Sequence, residues 1–556
     1  MNSTRKLIQI SLPPVILLLA VLALYSGSLN FPLVFDDGTF FDNPANISTY
    51  GHFAPVTRWL AYASLAWTVD WFGVDVFWLR LGNVLLHAGN AIALFFLLKR
   101  LFHLTLTSNS IADKPSHLTW YAFFGALIFA LHPVAVYGVV YLVQRSTLMA
   151  TLFVLLMART YLEGLVSNNW KWMIAAVLFY IAAISAKEHS ITAAGIAVAL
   201  TFLVRKPSPA LLRLVMPYAV MLLLIAIFVA YLFKSKGILG AAYEPNALMI
   251  LNSWARLQGV SDLPNVYILS ILTQGTLFFK YLYLWLLPNP AWMSVDMREP
   301  FALSLLNWRY ISGFVAYLAY FCIAVWLLLK QGRKGLLGFS MLFPWILFLT
   351  EFSTVRIQEP FVLYRSYMWM AGLYAALPVL FSIFIPQLPN GPSTLAAATG
   401  KSRNFPEHAR LVSLCIICMV LIPLSWNRMT TFSSALSLWD DAEKLVRHSP
   451  SAYGAERIYY NRGTELGQLR RYDEAISDFS KAISIHPFDF MYGNRAAAYF
   501  FTGRYPEALQ DYDHAIALNP NNPNSYYGRA TVEQALGKYS ESQEDFRKSC
   551  MLGLCR

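Results

Sequence analysis

Residues 33–38 read Leu-Val-Phe-Asp-Asp-Gly, so Asp36 and Asp37 stand side by side directly after a long apolar run. Two adjacent carboxylates next to lipid are suited to taking up a proton. An apolar surrounding disfavours the charged form, raises the pKa and makes a carboxylate a better base near neutral pH. A solvated turn or a helix cap accounts for the same residues, because Asp-Gly is a common turn pair. A second set is mostly cationic: His132, Arg145, Lys187, Glu188, His189, Lys280, Arg356 and Arg365. Arg and Lys suit a phosphate or pyrophosphate group. Anchoring in lipid headgroups explains any one of them alone, but explains a gathering of acids and bases on one face less well. The chain has no P-loop, no GxGxxG after a strand, no HExxH and no GxSxG. Soluble cofactor chemistry therefore has no foothold, and neither a cofactor nor a metal is expected.

The elements that must position these residues are apolar. Of 556 residues, 57% are hydrophobic and 13% charged, against roughly 25% charged in a soluble domain. The formal net charge of +12 does not point to nucleic acid, because the Lys and Arg sit in short clusters between apolar runs, as in cytoplasmic loops of membrane proteins. The first apolar run covers residues 10–29 after Arg5 and Lys6. It reads as an uncleaved anchor, since no small-x-small cleavage site precedes the polar segment. Further runs centre near residues 88, 126, 155, 178, 197, 222, 319, 343, 375 and 419. With about 20 apolar residues per lipid-crossing helix, the total is about eleven spans. Cys322, Cys415 and Cys418 fall inside such runs and read as small core hydrophobes rather than a redox or zinc motif.

The basic residues set an orientation. Lys99, Arg100 and Lys114 follow the second span, Arg205, Lys206 and Arg213 the sixth, Lys330, Arg333 and Lys334 the eighth, and Lys401, Arg403 and Arg410 the tenth. All fall on one side together with the N-terminus, and the positive-inside rule makes that side the cytoplasm. Residues 30–76, 234–308, 351–366 and everything after about Trp426 then face out. This requires residues 248–288 to form an interfacial or re-entrant helix pair. If the apolar segment from Val266 to Leu287 crossed, every later loop would change side.

The tail has a different grammar. Gly463, Ala475, Phe479, Ala482 and Pro487 recur as Ala496, Ala508, Tyr512, Ala515 and Pro520, and again as Ala530, Ser542 and Phe546. A spacing of about 34 is the period of the tetratricopeptide repeat (TPR), a helix-turn-helix unit. Small residues let the paired helices approach, and proline ends the second helix. The domains expected are residues 1–430 in the membrane, a linker and leading helix at 431–455, and three repeats at 456–488, 489–522 and 523–556. Cys550 and Cys555, five apart, either close a small loop that pins the last helix or remain two thiols on a frayed terminus. The fold class is all-α: a polytopic helical membrane protein followed by a TPR α-solenoid.

Five segments in order resemble the transmembrane-and-TPR protein O-mannosyltransferases and their bacterial relatives, which belong to the GT-C glycosyltransferases. They are FPLVFDDGTFFDNPANI, FWLRLGNVLLHAGNAIALFFLLKRL, ALIFALHPVAVYGVVYLVQRSTLMATLF, SAKEHSITAAG and YRSYMWMAGLYAALP, with the TPR tail following. The resemblance implies a GT-C-like membrane domain and transfer of a sugar from a polyprenyl phosphate or pyrophosphate carrier to a Ser or Thr hydroxyl of a protein such as a pilin. Asp36 and Asp37 match the acids of the family's first outer loop, and one of them is expected to act as the base. Arg145, Lys187 and Arg365 lie in matching segments and are expected to bind the donor phosphate. His132, Glu188, His189, Lys280 and Arg356 are accessory candidates. The TPR domain is expected to hold the protein acceptor, and membrane lipids surround the spans. Two features depart from the pattern. Tyr137 stands where many relatives have an acid, and three repeats replace the longer arrays of eukaryotic members. They leave the donor sugar and the acceptor open. The compact loops and short N-terminus fit a bacterial inner membrane, with the N-terminus cytoplasmic and the repeats periplasmic.

Two other readings compete. One keeps the fold but makes lipid A or another envelope glycan the acceptor; the TPR domain argues for protein, because its concave face is a peptide-binding surface. The other is a membrane-anchored TPR scaffold without catalysis, which leaves the acid pair without a task and needs far fewer than about eleven spans. A transporter is weaker still, since no repeated half with broken helices is visible.

Overall fold

The computed structural model describes residues 2–53, 56–106, 115–206, 208–238, 240–242, 247–357, 359–384, 405–449 and 452–555. The basic-loop residues Lys114, Lys401 and Arg403 lie outside the described residues. The chain is all-helical, and among the described residues β pairing is confined to two isolated bridges, Ala242 with Val355 and Met297 with Phe361. It divides into two compact units. The first comprises Met1–Met293, Phe301–Ile357 and Val362–Ser433; the second comprises Ser294–Pro300, Gln358–Phe361 and Ser434–Arg556.

Among the described residues of the first unit, seven helices are long and apolar enough to cross a membrane: Val76–Leu106, Leu142–Ser167, Pro209–Ser235, Trp308–Leu329, Gly332–Phe352, Leu363–Ile383 and His408–Thr430. An eighth candidate is broken. His117–Ala130 and Pro133–Val139 meet at 61°, because Pro133 cannot donate to the helix before it and instead opens a new one. Three shorter apolar helices, Leu12–Ser28, Trp170–Ala186 and Glu188–Val204, coincide with the other expected spans. Trp170–Ala186 and Glu188–Val204 have 17 residues each; at 1.5 Å per residue such a helix is roughly 26 Å long, against roughly 30 Å for a bilayer core, whereas the first helix runs Asn2–Tyr25. Helix Val266–Leu286 stays outside the candidates although it has 21 residues, since Thr273, Gln274 and Lys280 dilute its apolar character.

Leu212, Met216, Leu223, Leu224, Ile227 and Phe228 are exposed along one helix, and Val315, Ile323 and Trp326 along another. Apolar faces of this extent fit contact with lipid rather than water. Helices Trp308–Leu329 and Gly332–Phe348 cross closely at Gly338. A Cβ there would strike the backbone at Ala324 and Leu328, so only glycine allows the approach. Within residues 30–76, read from the sequence as an outer loop, three helices stand: Asp36–Phe41, Pro44–Gly51 and Trp59–Phe72.

The second unit stacks helix pairs. Helix Ala435–Val446, capped by the Ser434 hydroxyl, precedes Ala455–Gln468 with Tyr472–Ile485, Asp489–Phe501 with Tyr505–Leu518, and Pro523–Ala535 with Tyr539–Met551. The small residues act as expected, Ala496, Ala508, Tyr512 and Val532 forming one shared cluster. Each pair is also tied by an arginine on its first helix and an aspartate sixteen residues later on its second. Arg462 donates to Asp478, Arg495 to Asp511 and Arg529 to Asp545, all at 2.6–2.9 Å through two nitrogens. Two-pronged arginine–carboxylate pairs fix both angle and register. The second unit takes in Ser434 onward, so the leading helix Ala435–Val446 falls in the same unit as the repeats. The segments 294–300 and 358–361 also belong to this unit. Met297 bridges Phe361, and Arg457 of the first repeat donates to Glu359 at 2.9 Å. Cys550 and Cys555 are joined as a disulfide.

Candidate functional site

The acid pair is the start of a short helix, and the two acids differ. Phe35, immediately before them, adopts φ 57°, ψ −133°, a conformation that costs a non-glycine residue energy and tends to mark functional segments. Asp37 is fully buried and accepts from the backbone N–H groups of Leu142 (3.3 Å) and Val143 (3.0 Å). Burial pushes its carboxyl up to about 7, against the opposing pull of Arg80 and those two amides. Asp36 is exposed, and its Oδ2 accepts from the Tyr141 hydroxyl at 2.6 Å. Asp37 is thus a strut that ties the segment to residues 142–143, whereas Asp36 faces outward.

Helix Val76–Leu106 holds this arrangement through a buried polar stripe, Arg80, Asn83, His87 and Asn90, spaced three or four apart on one face. Arg80 donates to the carbonyls of Phe31 (3.2 Å), Pro32 (2.6 Å) and Val140, clamping the acid-bearing segment to the residues before Tyr141. Asn83 donates to the carbonyls of Val139 and Leu142. His87 pairs with the Tyr367 hydroxyl (2.6 Å) and the Ala130 carbonyl (3.0 Å), and Asn90 donates to Tyr367. This stripe escapes a reading of the sequence because its members are scattered in an apolar run; their i, i+3, i+7, i+10 spacing is the available signal.

The cationic side is built on four 3-10 turns, Leu142–Gln144, Glu188–Ala193, Leu349–Phe352 and Leu363–Arg365. Such turns end or interrupt helices and re-aim side chains. Lys187 is buried and donates to Thr147 Oγ1 (2.6 Å) and Gln144 Oε1 (3.3 Å), with its Nζ 5.9 Å from the centre of the Tyr364 ring. Tyr364 packs edge-on against Tyr141 at 5.6 Å. Two tyrosine rings therefore link the Asp36 carboxylate to Lys187 and to Arg365, the neighbour of Tyr364.

Behind them runs an ionic chain. Arg58 grips Glu188 with Nε and Nη2 at 2.5–3.1 Å. His189 Nδ1 lies 3.3 Å from Glu188, and its Nε2 lies 3.7 Å from Glu351. Glu351 Oε2 pairs with Arg365 Nη1 (3.3 Å) and Arg356 Nε (3.4 Å), and Arg356 Nη2 reaches His189 Nε2 at 3.1 Å. The sequence does not single out Arg58 or Glu351, for a plain reason: partners as far apart in the chain as Arg58 and Glu188, 130 residues, leave no local pattern.

Three expected residues stand elsewhere or are otherwise engaged. Arg145 is buried and spends its guanidinium on Asn83 Oδ1 (2.8 Å), the carbonyls of Leu79 (2.6 Å) and Ser64 (3.0 Å) and Thr68 Oγ1 (3.2 Å). It lies against Gly82, where a Cβ would come within 2.7 Å of Nη2. His132 stacks on Trp285 at 4.3 Å, donates to its carbonyl, and accepts from the Val134 N–H at the helix break. Lys280 stands half-buried on helix Val266–Leu286.

Comparison with known families matches two stretches of the second unit. Residues 456–489 match the tetratricopeptide repeat family, and residues 496–537 match a TPR repeat family. The C-terminal region therefore carries TPR repeats. No curated protein matches the chain.

Proposed function

We propose that this chain is a GT-C-type membrane glycosyltransferase that moves a sugar from a polyprenyl phosphate or pyrophosphate carrier to a Ser or Thr hydroxyl of a protein outside the cytoplasm. The observation that carries the reading is the continuity from Asp36 through Tyr141 and Tyr364 to Lys187 and Arg365. A base and a cationic site lie on the two sides of one tyrosine pair. Asp36 takes the proton of the acceptor hydroxyl as its oxygen bonds to the sugar C1. The C1–O bond to phosphate breaks with its electron pair, and Lys187 and Arg365 stabilise the charge that develops on the leaving phosphate. Asp37 and Arg145 position rather than react, since their polar atoms are committed to protein partners.

About eleven spans in a bacterial inner membrane would suit such a donor, and seven long apolar helices, one broken pair and three shorter apolar helices are compatible with that number. The repeats suit an acceptor role. They share one compact unit with segments 294–300 and 358–361, both assigned by the basic clusters to outer loops. A unit with parts on both faces of a bilayer is not possible, so this membership favours repeats on the outer, periplasmic side. Intact-mass measurement of envelope proteins in cells with and without the chain tests the reading. Loss of a sugar mass from a secreted subunit such as a pilin supports it. Unchanged envelope proteins with an altered lipid A or envelope glycan would move the acceptor, and no change in any of these would remove the enzyme.

A further inference from the structure

Glu351 has no solvent exposure, yet its carboxylate lies between two guanidiniums and an imidazole. A lone buried carboxylate is costly, and so is bringing a buried arginine and a half-buried one together. Each explains the other: Arg356 and Arg365 converge on the same oxygen, Oε2, at 3.4 and 3.3 Å. The remaining oxygen, Oε1, has no hydrogen-bond partner among the described residues, and its neighbour at 3.7 Å is His189 Nε2. The carboxylate cancels one of the two positive charges and fixes where both guanidiniums stand. Arg365 retains a side chain 10% exposed, and it adjoins Tyr364, the ring beside Lys187.

We propose that Glu351 is a positioning residue that holds Arg365 and Arg356 as a two-arginine receptor for the phosphate of the lipid-linked donor, an inference that rests on the glycosyltransferase reading. Two roles for this carboxylate predict opposite results. If Glu351 only trims surplus positive charge, removing its charge strengthens anion binding. If it aims the guanidiniums, removing it weakens binding, because Arg365 recognises phosphate through fixed two-pronged geometry.

The full chain is placed in phosphatidylcholine nanodiscs and titrated with undecaprenyl phosphate as the probe. Wild type is expected to bind it; no binding by wild type would overturn the donor-site reading itself, and this inference with it. Glu351→Gln is expected to weaken binding about tenfold, while Arg365→Gln weakens it similarly and the double variant is no worse than either single one. Glu351→Asp, which keeps the charge but draws it back by one methylene, is expected to recover part of the loss. Binding by Glu351→Gln equal to or tighter than wild type, or losses that simply add in the double variant, would overturn the positioning role. Should Glu351→Gln fail to accumulate in the membrane, Glu351→Asp alone decides: about threefold weaker binding supports the proposal, and unchanged binding overturns it.

Discussion

The Tyr141 hydroxyl donates to Asp36 Oδ2 at 2.6 Å, while the same ring packs edge-on against Tyr364 at 5.6 Å. One side chain thus holds the candidate base and touches the wall of the cationic site. Asp36→Asn keeps size and polarity but removes basicity, and transfer should fall about a hundredfold or more at normal membrane levels. Tyr141→Phe keeps the ring packing and loses only the hydrogen bond, so a loss of about tenfold is expected. Intact mass of the acceptor, with protein level measured in parallel, checks both. Normal transfer by Asp36→Asn would show that the base lies elsewhere.

Asp37 makes a separate prediction, about pH and stability. Its carboxyl is pushed up by burial to about 7, from 3.8. The folded chain therefore keeps a proton there that the unfolded chain releases. Its contribution to stability is present below about pH 4 and is lost as pH rises toward 7. Asp37→Asn removes the titration. Between pH 4 and 7.5 the apparent melting temperature of wild type should fall relative to Asp37→Asn, by roughly 5 °C. Parallel curves for the two proteins would mean that Asp37 is ionised throughout.

Arg145 and Arg365 should separate structure from binding. Lys at 145 cannot satisfy four acceptors on different elements. Arg145→Lys is expected to cost about 3 kcal/mol of stability, seen as lower accumulation and an earlier thermal transition, with donor-phosphate affinity retained in the folded fraction. Arg365→Lys should do the reverse, keeping stability within about 1 kcal/mol while weakening donor affinity. Loss of affinity in Arg145→Lys at wild-type stability would return that residue to the binding site.

The side of the repeats is directly measurable. A phosphatase that is active only in the periplasm, fused after Arg556, should be active, and a fluorescent cytoplasmic reporter at the same place should be dark. The reverse pattern would make Val266–Leu286 a true span and remove the repeats from acceptor recognition. Breaking the Arg457–Glu359 pair, 2.9 Å apart within the second unit, should leave the fusion result unchanged, since topology is set by the basic loops and not by docking.

Sequence alone determined what depends on periodicity and composition. Apolar runs, basic clusters and a spacing of about 34 are local properties, so long apolar helices and TPR repeats near the C-terminus were legible, and the acid pair stood out by its position after an apolar run. Tertiary structure decided what depends on distant partners. Whether Asp36 or Asp37 faces outward turns on two backbone amides more than a hundred residues away. Arg145 and Arg365 are the same residue type in similar apolar surroundings, and only their neighbours separate them: one is surrounded by acceptors from other helices, the other shares a buried carboxylate. A hydrogen bond or ion pair between residues 188 and 58, or 351 and 365, has no periodic trace in the chain, because such pairs exist only once packing has brought the helix ends together.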